Sequence, residues 1–313
     1  MDPKNVKSAL VVGAGVMGHS IAQVFAQARI EVNLVDLDGK ILERAMNLVK
    51  SNLETLAEFG RVSGDEIPQI LARIHPSTDL AAAAKGVDFV LEAVVEVPDV
   101  KKRIFSQLEE FCPEDTVLAS NTSTLDIFSI AEAKKPERLV AAHWFAPPHI
   151  IPLVEVVPGP KTSPEVVTFT AKLMERLGKK TVVMKEFVPA FIVNRIQNYI
   201  GMAFFEILDN GWATPQEIDM AVKTSLGIRL PIVGVVQCLD FTGLDLVLDI
   251  MKSTGLKNPL IEEKVTQGHL GAKTSKGIYD YGGRSEVEIL KKRDRLYLKT
   301  LDHLERIEAF EPV

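Results

Sequence analysis

The stretch Val11-Val12-Gly13-Ala14-Gly15-Val16-Met17-Gly18-His19-Ser20, VVGAGVMGHS, decides how the rest of the chain is read. It closes a short β-rich run that begins at Ser8 and opens a run with helical spacing, HSIAQVFAQA. Its glycines stand in the order G-x-G-x-x-G. Alone that spacing is a weak signal; between a strand and a helix it marks a loop that wraps a dinucleotide pyrophosphate. Gly13 makes the tight turn, Gly15 lets the backbone approach the pyrophosphate, and Gly18 lets the helix lie on the strand. The helix start adds unpaired amides and a positive dipole end. With Val16 and Met17, these residues form the candidate cofactor loop. Asp36 ends the next strand, 18 residues past Gly18. A carboxylate there accepts hydrogen bonds from the ribose of NAD and repels the extra phosphate of NADP. Lys40 close by pulls the other way. The competing reading is a glycine turn without a ligand.

From that loop the pattern continues as alternating strand and helix. EVNLVD is a strand, and KILERAMNLVKSNLETLAEFG a helix stopped at Gly60. SGDEIPQILARI is a shorter helix. VDFVLEAVV, TVLAS, LVAAH, LVEVV and KTVVMK read as strands. Helices follow at PDVKKRIFSQLEEF, near LDIFSIAEA, and at SPEVVTFTAKLMERLG. After Lys185 strand signals largely stop. PAFIVNRIQNYIGMAFFEILDNG is a long apolar helix, and TPQE at Thr214–Glu217 is a capping box opening another. The predicted fold class is α/β: a Rossmann-type, doubly wound, mostly parallel sheet followed by a smaller all-α C-terminal domain. The predicted domains are an NAD-binding domain over 1–186, with a helix-pair insertion at about 39–74, and an all-α substrate and dimerisation domain over 187–313.

Composition sets bounds on function. The 313 residues include 36 basic and 42 acidic side chains, so the net charge is 36 − 42 = −6. No basic run or stripe offers a nucleic-acid surface. Cys112 and Cys238 belong to no Cys-x-x-Cys or Cys/His cluster, which speaks against a disulfide framework or a structural zinc site. No apolar run approaches the roughly 20 residues of a membrane span, and the N-terminus lacks a signal-peptide core. A soluble cytoplasmic protein with no membrane, nucleic-acid or metal partner is expected.

Two charged residues interrupt the apolar runs of AAHWFAPPHIIPLVEVV, Ala141 to Val157: His143 and, twelve residues later, Glu155. Charges in buried strands need partners. His143 ends a strand, and ligands of such sheets bind at the strands' carboxyl ends. Pro147, Pro148 and Pro152 prevent a helix, so the chain loops and returns, which could bring Glu155 alongside His143. A carboxylate on one imidazole nitrogen fixes the tautomer and leaves the other nitrogen free to take a proton from an alcohol. A core histidine satisfied by a carbonyl, with Glu155 on an exposed strand face, is the plainer alternative.

The chain resembles the L-3-hydroxyacyl-CoA dehydrogenase family over nearly its whole length. The matching pieces are VVGAGVMG, EAVVE with Lys101 shortly after, ASNTST, the His and PLVEVV pair, FIVNR, DFTGLD and KTSKGIYDY. The resemblance implies that His143 is the general base and Glu155 its partner. It implies that Ser123 binds the substrate oxygen, that Asn194 lies near the substrate, and that Glu96 and Lys101 touch NAD. It also implies a homodimer through the helical domain, an acyl-CoA substrate, and a place in fatty acid metabolism. Each role has a structural alternative: Ser123 and Thr124 as a helix cap, Asn194 as a packing residue, Lys101 as a solvated helix residue, Glu96 as a loop acid. The chain departs from the family where Ala146 stands in place of an asparagine and Ala190 in place of a common glycine. PPHIIP looks more like relatives that oxidise free hydroxy acids or hydroxymethyl compounds. The helix pair from Gly39 to Ile74 resembles the family's coenzyme A clamp, with Lys40, Arg44, Lys50, Arg61 and Arg73 as its cations. A third reading is an NAD-binding protein with little or no catalysis.

Overall fold

The computed structural model describes residues 2–311. β1 (Ser8–Val12) leads through the glycine loop into α1 (Gly18–Gln27), then β2 (Glu31–Val35), α2 (Gly39–Glu58), α3 (Ile67–Ala72) and β3 (Ile74–Ser77). α4 (Leu80–Ala83), β4 (Phe89–Glu92), α5 (Pro98–Phe111), β5 (Val117–Ser120) and α6 (Ile127–Ile130) follow. β6 (Leu139–Trp144), β7 (Leu153–Pro158), α7 (Pro164–Arg176) and β8 (Lys180–Val183) complete the sheet. Its order is β3-β2-β1-β4-β5-β6-β7-β8. Every neighbouring pair is parallel except β6 with β7.

Successive strand residues face opposite sides of a sheet, so alternate residues feed two cores. Val11, Phe89, Val140 and Trp144 pack with α1, α2 and α7 on one face. Leu10, Val90, Leu118 and Ala141 pack with α5 and α6 on the other. The strands are apolar on both faces, as a sheet covered on both sides requires. α2 ends where the sequence predicts: Gly60 takes φ 63°, and the Gly60 and Arg61 amides donate to the Ala57 and Leu56 carbonyls.

Two expectations are corrected. The short helix after Ser63 stops at Ala72, and Ile74–Ser77 pairs with β2 as an edge strand. Only Ile74 of its four residues is buried, so no alternation betrays it. Pro76 has no amide to give and is tolerated because β3 lies at the sheet edge. The long apolar helix does not start at Pro189. Ala190 (φ 65°) and Phe191 (φ 50°) are left-handed, and α8 runs over Val193–Asp209.

The chain divides into two compact units between Tyr199 and Ile200, inside α8. The second contains α9 (Pro215–Ala221), α10 (Gly227–Thr242), α11 (Leu244–Ser253), α12 (Pro259–Thr266) and α13 (Glu286–Arg306). Thr214 and Glu217 form the predicted capping box of α9. Five residues of π-helix, Val222–Leu226, join α9 to α10, and α10 breaks at Gly234 (φ 66°). Asp240 is buried and accepts hydrogen bonds from the Ile278 and Tyr279 amides and the Tyr281 hydroxyl, tying α10 to the loop before α13. Burial, then the Asp240 charge, pushes the Tyr281 hydroxyl pKa up.

A left-handed alanine costs about 1–2 kcal/mol, and a glycine gives back roughly 0.5–1 kcal/mol in chain entropy. Ala190→Gly is therefore expected to stabilise the protein by about 0.5–1 kcal/mol. Urea unfolding measures it; a loss of stability shows that the left-handed turn costs this alanine nothing.

Candidate active site

β6 and β7 run antiparallel with His143 directly opposite Glu155. Opposed residues share a face of the sheet, and His143 Nδ1 lies 2.8 Å from Glu155 Oε2. Both side chains are buried, His143 at 3% exposure and Glu155 at 0%. The other carboxylate oxygen accepts the backbone amides of Ile192 (3.1 Å) and Val193 (3.0 Å) at the start of α8. A carboxylate can only accept, so Nδ1 is the nitrogen that donates to Glu155, and Nε2 is the one left for a ligand. The ring is held by Phe145 at 4.4 Å and Phe191 at 5.3 Å between centroids. The left-handed turn at 190–191 thus seats Phe191 on the histidine and aims two helix amides at the glutamate.

Ser123 is half-buried in the turn after β5, and its carbonyl accepts the Asn194 amide nitrogen at 3.2 Å. The capping reading of Ser123 and Thr124 does not hold: Asp126 caps α6, accepting from Phe128 and Ser129. Glu96 accepts instead from the turn itself, from Thr122 Oγ1 (2.6 Å), Ser123 N (2.8 Å) and Thr124 N (3.2 Å). Burial raises the Glu96 pKa, but the Thr122 hydroxyl, the Lys101 charge and the Ser123 amide outweigh it and hold the group below the usual carboxylate range. Lys101 is not a solvated helix residue. It is 1% exposed, with its ammonium 2.7 Å from Glu92 and 3.1 Å from Glu96.

Glu92 was not anticipated. It is fully buried at the end of β4 and accepts from Lys101, the Val94 amide and Ser120. The signal was available: Glu92 interrupts an apolar run just as Glu155 does. Also unanticipated is the support of the β6–β7 loop. Lys179, buried and without a carboxylate partner among the described residues, donates to the Pro148 carbonyl and, at 2.9 Å, to the Ile151 carbonyl. Burial pushes its pKa down to about 8. Ser20 Oγ accepts the His149 amide and lies 2.8 Å from His149 Nδ1, joining the loop to α1. Ala146 sits exposed in the same loop.

The glycine loop has the form a pyrophosphate needs. A Cβ on Gly13 (φ 98°) would lie 2.6 Å from the Ala93 carbonyl oxygen, and one on Gly18 would lie 1.7 Å from that of Gly13. A Cβ on Gly15 would meet nothing within 4 Å. Gly13 and Gly18 are small for the protein's own packing, whereas Gly15 keeps an outward face clear for a ligand. No side chain caps the start of α1, and Val16 is exposed beside it, with Met17 half-buried. Asp36 accepts from the Ala14 amide (2.8 Å) and the Leu37 amide (2.7 Å), which fixes its carboxylate at the loop with lone pairs left for sugar hydroxyls. These residues fit a dinucleotide.

Comparison with known proteins agrees. Residues 8–187 match the family described as 3-hydroxyacyl-CoA dehydrogenase, NAD binding domain, and residues 191–281 its C-terminal domain. A probable 3-hydroxybutyryl-CoA dehydrogenase of Bacillus subtilis is 36% identical over 88% of this chain and 98% of its own length. The 3-hydroxyadipyl-CoA dehydrogenase of Escherichia coli K12 is 34% identical over 91% of this chain, which spans 61% of that longer protein. Among solved structures, the 3-hydroxyacyl-CoA dehydrogenase of Archaeoglobus fulgidus superposes with a TM-score of 0.80 at 29% identity, covering 96% of this chain and 99% of its own. A 5-formyl-3-hydroxy-2-methylpyridine 4-carboxylic acid 5-dehydrogenase, an NAD+-dependent dismutase, superposes at 0.73 with 27% identity, covering 96% and 99%.

The glycines separate binding from folding. Gly15→Ala is expected to keep the wild-type melting temperature while weakening NADH binding at least about tenfold, because only the ligand meets the new methyl. Gly18→Ala is expected to lower the melting temperature. Calorimetry and NADH fluorescence titration check both; unchanged affinity in Gly15→Ala removes Gly15 from the cofactor site.

Proposed function

The chain belongs to the 3-hydroxyacyl-CoA dehydrogenase family of NAD-dependent oxidoreductases, and from that premise we propose that it interconverts the 3-hydroxyl and 3-keto groups of a 3-hydroxyacyl-CoA. The observation that carries the reading is the buried His143–Glu155 contact at the carboxyl end of β6. When bound, NAD+ supplies the acceptor for the hydride of the carbon bearing the hydroxyl. His143 Nε2 takes the hydroxyl proton, and Glu155 stabilises the imidazolium that results. The half-buried position of Ser123 and its contact with Asn194 support placing the substrate oxygen beside them. Gly13, Gly15, Val16, Met17, Gly18 and Asp36 hold the cofactor in this reading, with Glu96 and Lys101 toward its reactive end. The cations of the α2–α3 segment favour a phosphate-rich thioester.

A second substrate reading has its own observation. Ala146 offers no amide beside the base, and the pyridine-carboxylate dehydrogenase that the chain resembles is named for a substrate without coenzyme A. A small hydroxy acid or hydroxymethyl compound would need no clamp.

The proposal extends to a homodimer. Tyr199, Met202 and Phe205 on α8 are more than half exposed, and Val235 and Val236 on α10 are nearly so. A second copy would cover such an apolar helical face. A cytoplasmic location and a role in fatty acid metabolism complete the reading. Cys112 and Cys238 are free, and among the described residues no single helix is long and apolar enough to cross a membrane.

NADH oxidation with acetoacetyl-CoA, set beside free acetoacetate and other small keto acids, tests the substrate. Turnover with the thioester alone is expected; turnover with free acids alone transfers the protein to the second reading. His143→Ala is expected to lower kcat by about 10²–10⁴-fold, and Glu155→Gln by less, with NADH affinity unchanged in both. Turnover in His143→Ala equal to the wild type overturns the mechanism.

A further inference from the structure

Five residues at the carboxyl edge of β4 and β5 close into a ring through their side chains and one backbone amide. Glu92 and Ser120 are register partners, each the last residue of its strand. Ser120 Oγ donates to Glu92 Oε2 at 2.6 Å, and Lys101 Nζ donates to Glu92 Oε1 at 2.7 Å. The same ammonium lies 3.1 Å from Glu96 Oε2. Glu96 Oε1 accepts the Thr122 hydroxyl, and the Thr122 amide returns to Ser120 Oγ at 3.1 Å. Glu92, Ser120, Thr122 and Lys101 are all buried. Glu96 alone reaches solvent, and its two oxygens do different work. Oε2 faces the lysine, while Oε1 holds the amides of Ser123 and Thr124.

We propose that Glu92 is a positioning residue that acts through this ring: it anchors Lys101, Lys101 anchors Glu96, and Glu96 fixes the turn that presents Ser123. The proposal rests on the reading above that Ser123 meets the substrate oxygen. The electrostatics favour a relay of this kind. Two carboxylates share one buried ammonium, so the loss of either charge leaves the ammonium to the other. With Glu92 neutral, Glu96 becomes the only carboxylate on Lys101 and is drawn toward it, away from the turn. The ring also explains why Ser120 cannot be a simple strand residue. Its hydroxyl donates to Glu92 and accepts from Thr122, so it spends both functions inside the ring. A purely structural Glu92 would brace β4 against β5, and its loss would be felt as stability spread over the sheet. The positioning role predicts a local effect at residues 122–124.

Glu92→Gln keeps the shape and removes the charge; Ser120→Ala opens the ring at another point and serves if Glu92→Gln does not fold. Hydrogen exchange of the full-length protein reads the turn without any substrate. Exchange of the peptide covering 121–125 is expected to rise at least tenfold in either variant, with peptides of α7 unchanged. Unaltered exchange at 121–125 overturns the inference, as does an equal rise across the sheet. A double-mutant cycle with acetoacetyl-CoA and NADH then separates this inference from its parent reading. If Ser123→Ala lowers kcat and Glu92→Gln lowers it at least tenfold in the wild type but by less than twofold in the Ser123→Ala background, Glu92 acts through Ser123. If Ser123→Ala lowers kcat and Glu92→Gln has no effect, or an undiminished one in the Ser123→Ala background, the inference fails and the Ser123 reading stands. If Ser123→Ala keeps full kcat, the Ser123 reading fails and the inference goes with it.

Discussion

Glu155 carries its carboxylate where water does not reach, and the carboxyl edge of the sheet is arranged around satisfying it. An unpaired buried carboxylate is costly enough to shift the fold or lose its charge. Here one oxygen takes the His143 ring and the other takes two amides at the start of α8. The first contact demands that β7 return antiparallel to β6, the single antiparallel pairing in the sheet, with a register that sets residue 143 against 155. The second demands that α8 not begin as early as Pro189, since a helix started there would have consumed those amides in its own hydrogen bonds. The left-handed turn at Ala190 and Phe191 meets that demand. Backbone strain at this point has a visible return: it delivers the amides to Glu155 and the Phe191 ring to His143.

The same problem is solved differently one strand pair away. Glu92 and Glu155 both sit within the apolar runs of buried strands at the carboxyl edge. Glu155 is offset by an imidazole and by two backbone amides at the start of α8. Glu92 is offset by an ammonium and a hydroxyl, both of which donate to it inside the ring. The two carboxylates differ in the partner that each is given. The loop between β6 and β7 repeats the principle with the sign reversed. Lys179 is a buried cation held by the Pro148 and Ile151 carbonyl oxygens and the face of the Trp144 ring, and burial pushes its pKa down to about 8.

What could be read from the sequence follows from how local each signal is. The glycine loop announces itself within eight residues, because its three glycines answer to a turn, a ligand and a helix contact that all lie close in the chain. The alternation of apolar strands with amphipathic helices fixes the doubly wound class for the same reason. The His143–Glu155 pairing was legible because the prolines between them leave the chain little choice but to turn back. β3 was not legible: an edge strand of four residues with one buried side chain has no period to detect. The start of α8 was hidden because apolar spacing runs unbroken through Phe191 into the helix, and only backbone dihedrals show that the residues before Val193 are not helical. The ring around Lys101 draws on residues 28 apart in sequence, Glu92 and Ser120, which meet only because β4 and β5 are parallel neighbours in register. Lys101 and Glu96 could be singled out separately, but nothing in their spacing says that they share a partner.

The two departures from the family pattern fall on opposite sides of this division. Ala190 lies inside the constraint, at a left-handed residue whose conformation the Glu155 amides require, so its methyl group is a cost carried by the fold. Ala146 lies outside it, exposed in a loop whose course is held from below by Lys179 and from the side by Ser20 and His149. The loop keeps its course without any help from the side chain at 146. Substitution there leaves the contacts of His143, Glu155 and the ring around Lys101 untouched and alters only the exposed surface of the loop. The side chains around His143 and Lys101 are buried and cross-linked, while the residue at 146 that departs from the family stands on the open side.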